Sequence, residues 1–348
     1  MKYIKKYITG DILRLSDWYN KIVLKNALKY ENKINNYRFT LLSDSNNEFT
    51  ELYKLREAGV WLIQDNDNSI LDIKKGIRII IGFHPIHLHL GHLSLIKELS
   101  LYASYDAEFV FIVANHEKNN VSKQIIEDFW GIMGNTCNLS NCSRKVFWDD
   151  DFLELMKLTD QISKNFTINK VLQIFGWDNS VSLHIVRNVL IVASSFLISN
   201  IMENKNTIVL LDINQMPFFE LCRLAAKKNN LSLPSFAFIR LFPSICNVNK
   251  RMSIKDAKST IFLDESDYNI EKKLKSTFTC GSYESNNTEC KLLNCCFFRV
   301  MELFFDYNQL EKVLKDCENN TKFCSECKKN NIPIIMGRIK KLKRGIYD

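Results

Sequence analysis

Glycine and proline are both scarce in this chain, whose 348 residues include only 11 glycines and 5 prolines. These residues supply most tight turns and interrupt helices, so their scarcity argues against a turn-rich protein and favours a helix-rich one. Apolar residues are ample by comparison, at 46% of the chain with 23 phenylalanines. We therefore expect a globular protein with a sizeable core, in one large or two ordinary domains.

The chain also lacks a long hydrophobic run. Its most apolar window, residues 189–201, includes serines and an asparagine and is too short to cross a bilayer, so we expect a buried helix there and no membrane partner. Residues 1–6 lead into no apolar segment of the kind found in signal peptides. We therefore expect a cytoplasmic protein whose 11 cysteines are reduced thiols or metal ligands rather than disulfides.

Charge is not balanced: the formal net charge is +8, and the isoelectric point lies near 8.8. Such a charge permits nucleic acid or polyphosphate partners without requiring one. Much of the excess lies near the end of the chain, in Arg338, Lys340, Lys341, Lys343 and Arg344. This cluster fits either a solvated helix face or frayed tail, or a contact with RNA.

Three nearly continuous apolar runs alternate with helical patterns. They cover residues 79–83, 109–114 and 207–213. Strands that are buried on both faces have this composition, which predicts an open α/β fold with a parallel sheet. Each run ends in a polar cluster, and ligands bind beyond the carboxyl ends of the strands in such sheets. We expect the functional residues to converge at that edge.

Four of the six histidines lie within nine residues, where a buried strand turns into a helix. Two of them form a His-Leu-Gly-His element with His89, Gly91 and His92. A helix N-terminus offers N–H groups to a phosphate, glycine permits close approach, and imidazoles donate hydrogen bonds to developing charge. The pattern therefore favours a nucleotide site. His84 and His87 fit local hydrogen bonding better than metal binding.

A second element follows about 160 residues later, at residues 250–263, and reads Lys-Arg-Met-Ser-Ile-Lys-Asp-Ala-Lys-Ser-Thr-Ile-Phe-Leu. On an α/β frame, the two elements together resemble the HIGH and KMSKS signatures of class I aminoacyl-tRNA synthetases. The second is similar to the tryptophanyl branch, where the loop commonly reads Lys-Met-Ser-Ala-Ser-Asp and runs into Ser-Ile-Phe-Leu.

Three further blocks carry the same resemblance. They are Gln-Ile-Phe-Gly-Trp at 173–177, Ile-Asn-Gln-Met-Pro-Phe-Phe at 213–219 and Thr-Phe-Thr-Cys-Gly at 277–281. The tryptophanyl-tRNA synthetase family has Ile-Phe-Gly-Phe, Ile-Asp-Gln-Asp-Pro-Tyr-Phe and Ala-Phe-Ser-Gly-Gly at these places. The resemblance runs in order from about residue 50 to 330 and is that of a diverged member of the archaeal and eukaryotic type. It implies a Rossmann-like catalytic domain followed by a helical domain.

The resemblance implies a two-step reaction with ATP and Mg²⁺. The amino acid carboxylate attacks the α-phosphate, and the adenylate then esterifies the terminal adenosine of tRNA, so the protein's task is positioning and charge stabilisation. The residues assigned to catalysis are His89, His92, Arg251, Ser253 and Lys255, of which Lys255 fits a solvated side chain equally well. The residues assigned to ATP binding are Gly82, Pro85, Gly91 and Met252.

For the amino acid pocket, the resemblance implies Gln215, at the end of a buried strand, and Glu117, as a partner for the ammonium or the indole N–H. Ile81 and Ile112 stand where the family has a tyrosine and a glutamine, and Arg251 replaces the first KMSKS lysine. A site that loses paired polar groups discriminates less well. Three interpretations stay open: a diverged tryptophan ligase, a ligase for another amino acid, and a synthetase-like paralogue that binds RNA or a nucleotide without turnover.

Cysteines cluster near the end of the chain. Cys317, Cys324 and Cys327 are separated by six and two residues, and Cys295 or Cys296 lies upstream across a gap of 21 or 20 residues. This pattern resembles the iron–sulfur motif of some tryptophanyl-tRNA synthetases, and thiolate sets of this kind bind a [4Fe–4S] cluster or zinc. Buried thiols without a metal are the equal alternative.

The residue pattern along the chain, together with the resemblance, predicts how the chain is organised. Residues 1–72 form an N-terminal extension that packs on the catalytic domain, residues 73–264 the Rossmann-like catalytic domain, and residues 265–348 a helical domain that binds the tRNA anticodon. The expected partners are tRNA, tryptophan, ATP and, as in the family, a second copy of the chain in a homodimer.

Overall fold

The computed structural model of the chain describes residues 61–63, 77–83, 86–100, 102–104, 106–113, 120–148, 153–202, 205–212, 215–239, 242–248, 250–279, 295–318 and 323–347. Most of the predicted N-terminal extension lies outside these residues, as do Pro85 and Glu117. None of the described helices is long and apolar enough to cross a membrane.

Six described strands form one sheet. They are β1 (Trp61–Ile63), β2 (Ile77–Phe83), β3 (Glu108–Val113), β4 (Ser143–Trp148), β5 (Asn206–Asp212) and β6 (Ser235–Ile239). Their order across the sheet is β1-β6-β5-β2-β3-β4, and all neighbours are parallel except β1 and β6, which are antiparallel. The carboxyl ends of β2, β3 and β5 therefore meet at one edge.

Ten α-helices are described around the sheet. They are α1 (Leu90–Ser100), α2 (Asn120–Thr136), α3 (Leu153–Ser163), α4 (Ile168–Phe175), α5 (Leu183–Phe196), α6 (Met216–Asn229), α7 (Asp267–Ser276), α8 (Cys296–Phe304), α9 (Tyr307–Glu318) and α10 (Cys324–Tyr347). Buried residues of α1, α2 and the C-terminal helices share one core layer, and those of α3–α6 share the other.

The alternation of side chains along each strand divides the core between these two layers. In β2, Ile79 and Ile81 pack into the layer of α1 and α2, whereas Ile80 packs into the layer of α3–α6. All three are almost completely buried. A strand covered on both faces needs apolar residues at successive positions, which accounts for the continuous runs in the sequence.

The three strands predicted from apolar runs correspond to β2, β3 and β5, which confirms the parallel α/β sheet. The strands β4 and β6 were not predicted. β4 forms the edge of the sheet beyond β3 and begins with Ser-Arg-Lys, and edge strands carry such polar residues. The apolar window at 189–201 overlaps α5, whose last turns are buried as expected.

The C-terminal helices pack onto the first core layer. The helix α8 contacts α1, and α10 contacts both α2 and α7. Phe297 and Ile335 belong to the same continuous core as Phe109 of β3 and Met133 of α2. The division of the chain near residue 265 stays a prediction.

A buried group of charges lies at the amino-terminal edge of the sheet, opposite the edge with the polar clusters. Arg78 of β2 and Glu108 of β3 are paired in register, and Nε of Arg78 lies 2.5 Å from Oε2 of Glu108. Lys145 of β4 lies 2.7 Å from the other carboxylate oxygen. Burial by itself raises the pKa of Glu108, but the hydrogen bonds from Lys145 and Arg78 outweigh it and lower that pKa.

Candidate active site

The histidine element spans the junction between β2 and α1. The His89 ring folds back so that its Nδ1 accepts a hydrogen bond from the Gly91 backbone N–H at 3.0 Å. Nδ1 of His92 accepts one from the His89 backbone N–H at 3.1 Å, and the two ring centroids lie 4.1 Å apart. Because Nδ1 is an acceptor in both rings, this bonding assigns the neutral proton of each ring to Nε2. The pair thus offers two Nε2–H donors beside a helix N-terminus.

His89 is held in its neutral form. Burial, and to a smaller extent the positive charge of Arg251, lower the pKa of His89 from 6.5 to about 4. At neutral pH this ring can donate a hydrogen bond to a phosphate without carrying a charge itself. Phe83 and Phe129 pack edge-on against the His92 ring, with centroids at 5.7 and 6.4 Å, and so limit its rotation.

The second sequence element lies directly against the first. His89 and Phe262 form an antiparallel backbone bridge. Two backbone hydrogen bonds flank this bridge, at 3.1 and 2.8 Å, and join residues 88–90 to residues 261–263. Two motifs that are far apart in the sequence are therefore neighbours at the carboxyl edge of the sheet.

Residues 250–255 form the loop of the second element, which we call the signature loop. Met252 is buried, and its N–H donates to the Phe242 carbonyl at 2.9 Å. Oγ1 of Thr260 accepts a hydrogen bond from the Ser253 N–H at 3.2 Å and donates to the Ser253 carbonyl at 2.7 Å. The loop is thus anchored at two successive residues.

Arg251 extends from the signature loop toward the carboxyl end of β5. Its Nη1 lies 3.8 Å from Oδ2 of Asp212, the last residue of β5, and half of the Arg251 side chain is exposed. The Asp212 N–H donates to Oε1 of Gln215 at 2.9 Å, just before α6 begins. Asp212 was not among the predicted site residues. Its position at the end of a buried strand could have indicated a place in the site.

The candidate amino acid residues on β2 and β3 do not lie on one face of the sheet. Gly82 pairs in register with Ile112, and both lie on the face of Ile80, where a Cβ on Gly82 would be 3.6 Å from the Phe196 ring. Ile81 packs into the opposite core layer. Ile80, rather than Ile81, therefore lies on the same face of the sheet as Ile112.

A wall of aromatic side chains continues from Phe196 on that face. Phe218 of α6 packs edge-on to Phe196 with centroids at 5.9 Å, and Phe175 packs edge-on to Phe218 at 5.0 Å. The Trp177 ring lies 4.6 Å from that of Phe175 at a tilt of 32°. Phe175, Trp177 and Phe218 are only partly buried, so they can contact a ligand.

The predicted site residues fall into three groups. Those brought together near the carboxyl edge are His89, Gly91, His92, Arg251, Ser253 and Gln215. Met252 contributes its side chain to the core, and Lys255 is exposed. Pro85 and Glu117 lie outside the described residues. Phe262, whose ring lies beside that of His89, was not among the predicted site residues, because only a tertiary contact brings the two residues together.

The predicted metal ligands lie near one another in the C-terminal helices. Burial first, and then Cys327, Cys295 and Cys324, raise the pKa of Cys317 to about 12. Burial and then Cys295 raise the pKa of Cys296 to about 12 as well. Within the described part of the chain, however, no three His, Cys, Asp or Glu side chains are arranged to hold a metal ion, and the nine cysteines there form no disulfide.

Comparison with family models finds no match. Among individual proteins, the chain is 24% identical over 208 residues to a tryptophan–tRNA ligase of Pyrococcus horikoshii, an alignment that covers 57% of this chain and 52% of that protein. It is 23% identical over 310 residues to the cytoplasmic tryptophan–tRNA ligase of Oryctolagus cuniculus, which covers 81% of this chain and 65% of that protein. The chain therefore spans between half and two thirds of the length of these relatives.

Solved structures show the same fold. A tryptophanyl-tRNA synthetase from Encephalitozoon cuniculi, bound to tryptophan, superposes with a TM-score of 0.70 and 20% identity, over 91% of this chain and 94% of that one. At this identity the superposition establishes the fold alone, a Rossmann-like parallel α/β fold. The sequence matches show in addition that the chain is similar to tryptophan–tRNA ligases.

Proposed function

We propose that the protein is a tryptophan–tRNA ligase, which activates tryptophan with ATP and transfers it to the 3′ end of tRNA(Trp). The proposal rests on the contact between the His89–His92 element and the segment that follows the signature loop, beside the carboxyl ends of the strands. Ligands of open parallel sheets bind at that edge. The names of the relatives supply the amino acid.

In the first step, a carboxylate oxygen of the amino acid bonds to the α-phosphorus of ATP. The bond from that phosphorus to the bridging oxygen breaks, and pyrophosphate leaves with the electron pair. Negative charge on the phosphate oxygens would be stabilised by Nε2–H of His89 and His92 and by the N-terminus of α1. Arg251 would add a positive charge near the leaving pyrophosphate. In the second step, a hydroxyl of the terminal adenosine attacks the activated carbonyl, and AMP leaves.

The ATP site would be completed by residues that allow close approach. Gly82 is exposed near the carboxyl end of β2. Gly91 has no side chain and so leaves space for the His89 ring, which would face the phosphates. Pro85, Ser253 and Lys255 would border the nucleotide from the two sequence elements. Mg²⁺ bound together with ATP would neutralise part of the charge on its phosphates.

We place the side chain of the substrate against the aromatic wall of Phe175, Trp177 and Phe218. An indole ring gains edge-on and offset contacts with such rings. Gln215 and Glu117 would supply the polar contacts to the amino acid. Ile112 offers no hydrogen bond to the indole N–H, so aromatic packing carries more of the recognition here, and discrimination against phenylalanine and tyrosine is expected to be weaker.

We place the tRNA contact on residues 265–348. We place the protein in the cytoplasm, because the rabbit relative is named a cytoplasmic ligase. Part of the basic cluster on α10 is already engaged, because Lys340 and Lys343 both pair with Asp267. Lys329 and Lys341 are exposed. These two lysines are therefore the better candidates for contact with phosphates of RNA.

The predicted homodimer would use the apolar surface of α3, α4 and α5. Leu153, Ile168, Leu183 and Ile185 are 63, 46, 68 and 43% exposed there. Burying such side chains in a symmetric interface is favourable.

Light scattering after size exclusion should give a dimer mass for the native chain and a smaller mass for Leu183→Asp. The control is Val121→Asp on α2, where Val121 is 65% exposed. A native monomer would exclude the dimer.

We also propose that Cys295, Cys317, Cys324 and Cys327 hold a [4Fe–4S] cluster or zinc, with Cys296 as the alternative first ligand. Support comes from the nearness of these thiols, since Cys327, Cys295 and Cys324 all contribute to the raised pKa of Cys317, and from the soft ligand set. Their described arrangement would need to tighten around the metal. Iron, sulfide and zinc analysis of protein purified without oxygen distinguishes cluster, zinc and metal-free thiols.

The experiment that tests the main proposal is amino-acid-dependent ATP–pyrophosphate exchange, with each of the twenty amino acids assayed separately. Exchange with tryptophan, followed by charging of tRNA(Trp), is the expected result. Exchange with a different amino acid would reassign the substrate. No exchange with any of them, from folded protein, would contradict the ligase and favour a paralogue without turnover.

A further inference from the structure

Lys273 of α7 binds the backbone that follows the signature loop. Its Nζ donates hydrogen bonds to the carbonyl oxygens of Ala257 at 2.8 Å and Thr260 at 2.6 Å, and it forms an ion pair with the Glu265 carboxylate. An ammonium has three donors, and these three acceptors match them. The side chain is only 18% exposed, so water competes weakly for these bonds.

The carbonyls that Lys273 binds belong to the segment that fixes the signature loop. Thr260, whose carbonyl accepts from Lys273, holds both backbone groups of Ser253 through its hydroxyl. Ala257 begins the short 3₁₀ turn at Ala257–Ser259, between the loop and Thr260. A displacement of this segment would therefore be transmitted directly to Ser253.

The same ammonium also lies beside the partner of the histidine element. Lys273 Nζ is 5.4 Å from the centroid of the Phe262 ring, within the range of a cation–π contact. Phe262 bridges the backbone of His89, and its ring lies 6.2 Å from the His89 ring. Lys273 thus contacts the segment that joins the two sequence elements of the site.

The last helix also binds this segment. Nζ of Lys343 on α10 donates to the Glu265 carbonyl at 2.5 Å and lies 3.4 Å from Oδ1 of Asp267. Glu265 is the ion-pair partner of Lys273, so the two lysines bind one short stretch of backbone. Hydrogen bonds and an ion pair therefore join α7 and α10 to residues 257–265.

We propose that Lys273 is a positioning residue that sets the signature loop and His89 in their ATP-binding arrangement. The positioning of the loop by Lys273 does not depend on the proposed ligase function. Only the expected change in the kinetic constants rests on that function. Lys273 does not touch substrate in this account; it acts through Thr260 and Phe262. Replacing it by Met keeps an aliphatic side chain of similar length and removes the charge and all three donors.

The first measurement is hydrogen–deuterium exchange of backbone amides in residues 251–260, without ligands. In Lys273→Met these amides should exchange at least about tenfold faster than in the native chain, as the loss of a charge-assisted hydrogen bond implies. Lys272→Met, at an exposed neighbouring position, is the matched control and should leave exchange unchanged. Thr260→Val, which removes the hydroxyl that holds Ser253, should accelerate the same amides even if Lys273→Met folds poorly. Native-like exchange in folded Lys273→Met would overturn the proposal. If that variant does not fold, native-like exchange in Thr260→Val would do so.

The second measurement is the split of kinetic constants in pyrophosphate exchange. Lys273→Met should raise KM for ATP by about tenfold or more and leave KM for tryptophan nearly unchanged, and Lys273→Arg should recover part of the loss. Equal changes in both KM values would mean general destabilisation and contradict positioning. If the native chain shows no pyrophosphate exchange, the ligase proposal fails, while the amide measurement still decides the role of Lys273.

Discussion

The imidazole of His89 lies against the Cα of Gly91. A Cβ built on Gly91 would be 2.7 Å from Cε1 and 2.8 Å from Nδ1 of His89, closer than real Cβ atoms come to such neighbours. The Gly91 N–H donates to the same ring. The absence of a Cβ at Gly91 therefore makes room for the His89 ring.

Gly91→Ala should displace the His89 ring and lower tryptophan-dependent pyrophosphate exchange by about a hundredfold, the effect of a misplaced catalytic group. The fold should survive, because alanine is favourable in a helix. The control is Gly131→Ala on α2, where a Cβ meets nothing within 4 Å. That change should raise the free energy of unfolding by about 0.5–1 kcal/mol and leave activity unaltered. A fully active Gly91→Ala protein would contradict the packing argument.

The lowered pKa of His89 predicts its titration. Nuclear magnetic resonance of the ring protons should give a midpoint near 4, well below the ordinary value of 6.5. In Arg251→Gln the midpoint should rise but stay below 6.5, because burial is the larger cause and remains. An unchanged midpoint in that variant would show that Arg251 does not act on His89.

The same shift sets the direction of a pH effect on stability. The unfolded chain protonates His89 as the pH falls below about 6.5, whereas the folded chain does so only near 4. Protons therefore favour the unfolded state between these values, and this contribution destabilises the fold as the pH falls. His89→Gln should flatten that part of the profile of unfolding free energy against pH. A profile as steep as that of the native chain would contradict the assignment.

Glu108 predicts a second, separate effect on stability. Glu108→Gln leaves Arg78 buried without its carboxylate and should cost about 3–5 kcal/mol in chemical denaturation. Because the folded pKa of Glu108 is lowered, its contribution is present above the ordinary glutamate range and is lost as the pH falls through the folded pKa. The control is Glu127→Gln, whose pair with Arg144 is exposed and should contribute under about 1 kcal/mol. Equal losses in the two variants would contradict the buried pair.

Local patterns were enough to predict the central strands and the histidine element. The strands β2, β3 and β5 are buried on both faces, and a continuous apolar run shows this directly. β4 has a neighbour on one side only, so its composition is less distinctive. Residues 265–348 were predicted to be helical, and the described residues there include α8, α9 and α10, whose buried residues repeat at helical spacing.

Contacts between distant segments could not be predicted in the same way. A shift of one residue along β2 moves a side chain to the other face, and this separates Ile81 from Ile112. The contacts of Asp212 with Arg251 and of Lys273 with Thr260 depend on where the tertiary structure places residues 250–260. No spacing in the sequence encodes those contacts.

The most direct test of the account is the tryptophan-dependent ATP–pyrophosphate exchange rate of His92→Ala. Loss of a preorganised donor to the developing phosphate charge should lower the rate by about 10²–10³-fold, with a melting temperature close to that of the native chain. The control is Lys123→Ala, at an exposed position of α2 outside the proposed site and dimer surface, and it should exchange at the native rate. Native exchange in His92→Ala would contradict the assignment of this histidine to the phosphates and, with it, the proposed site.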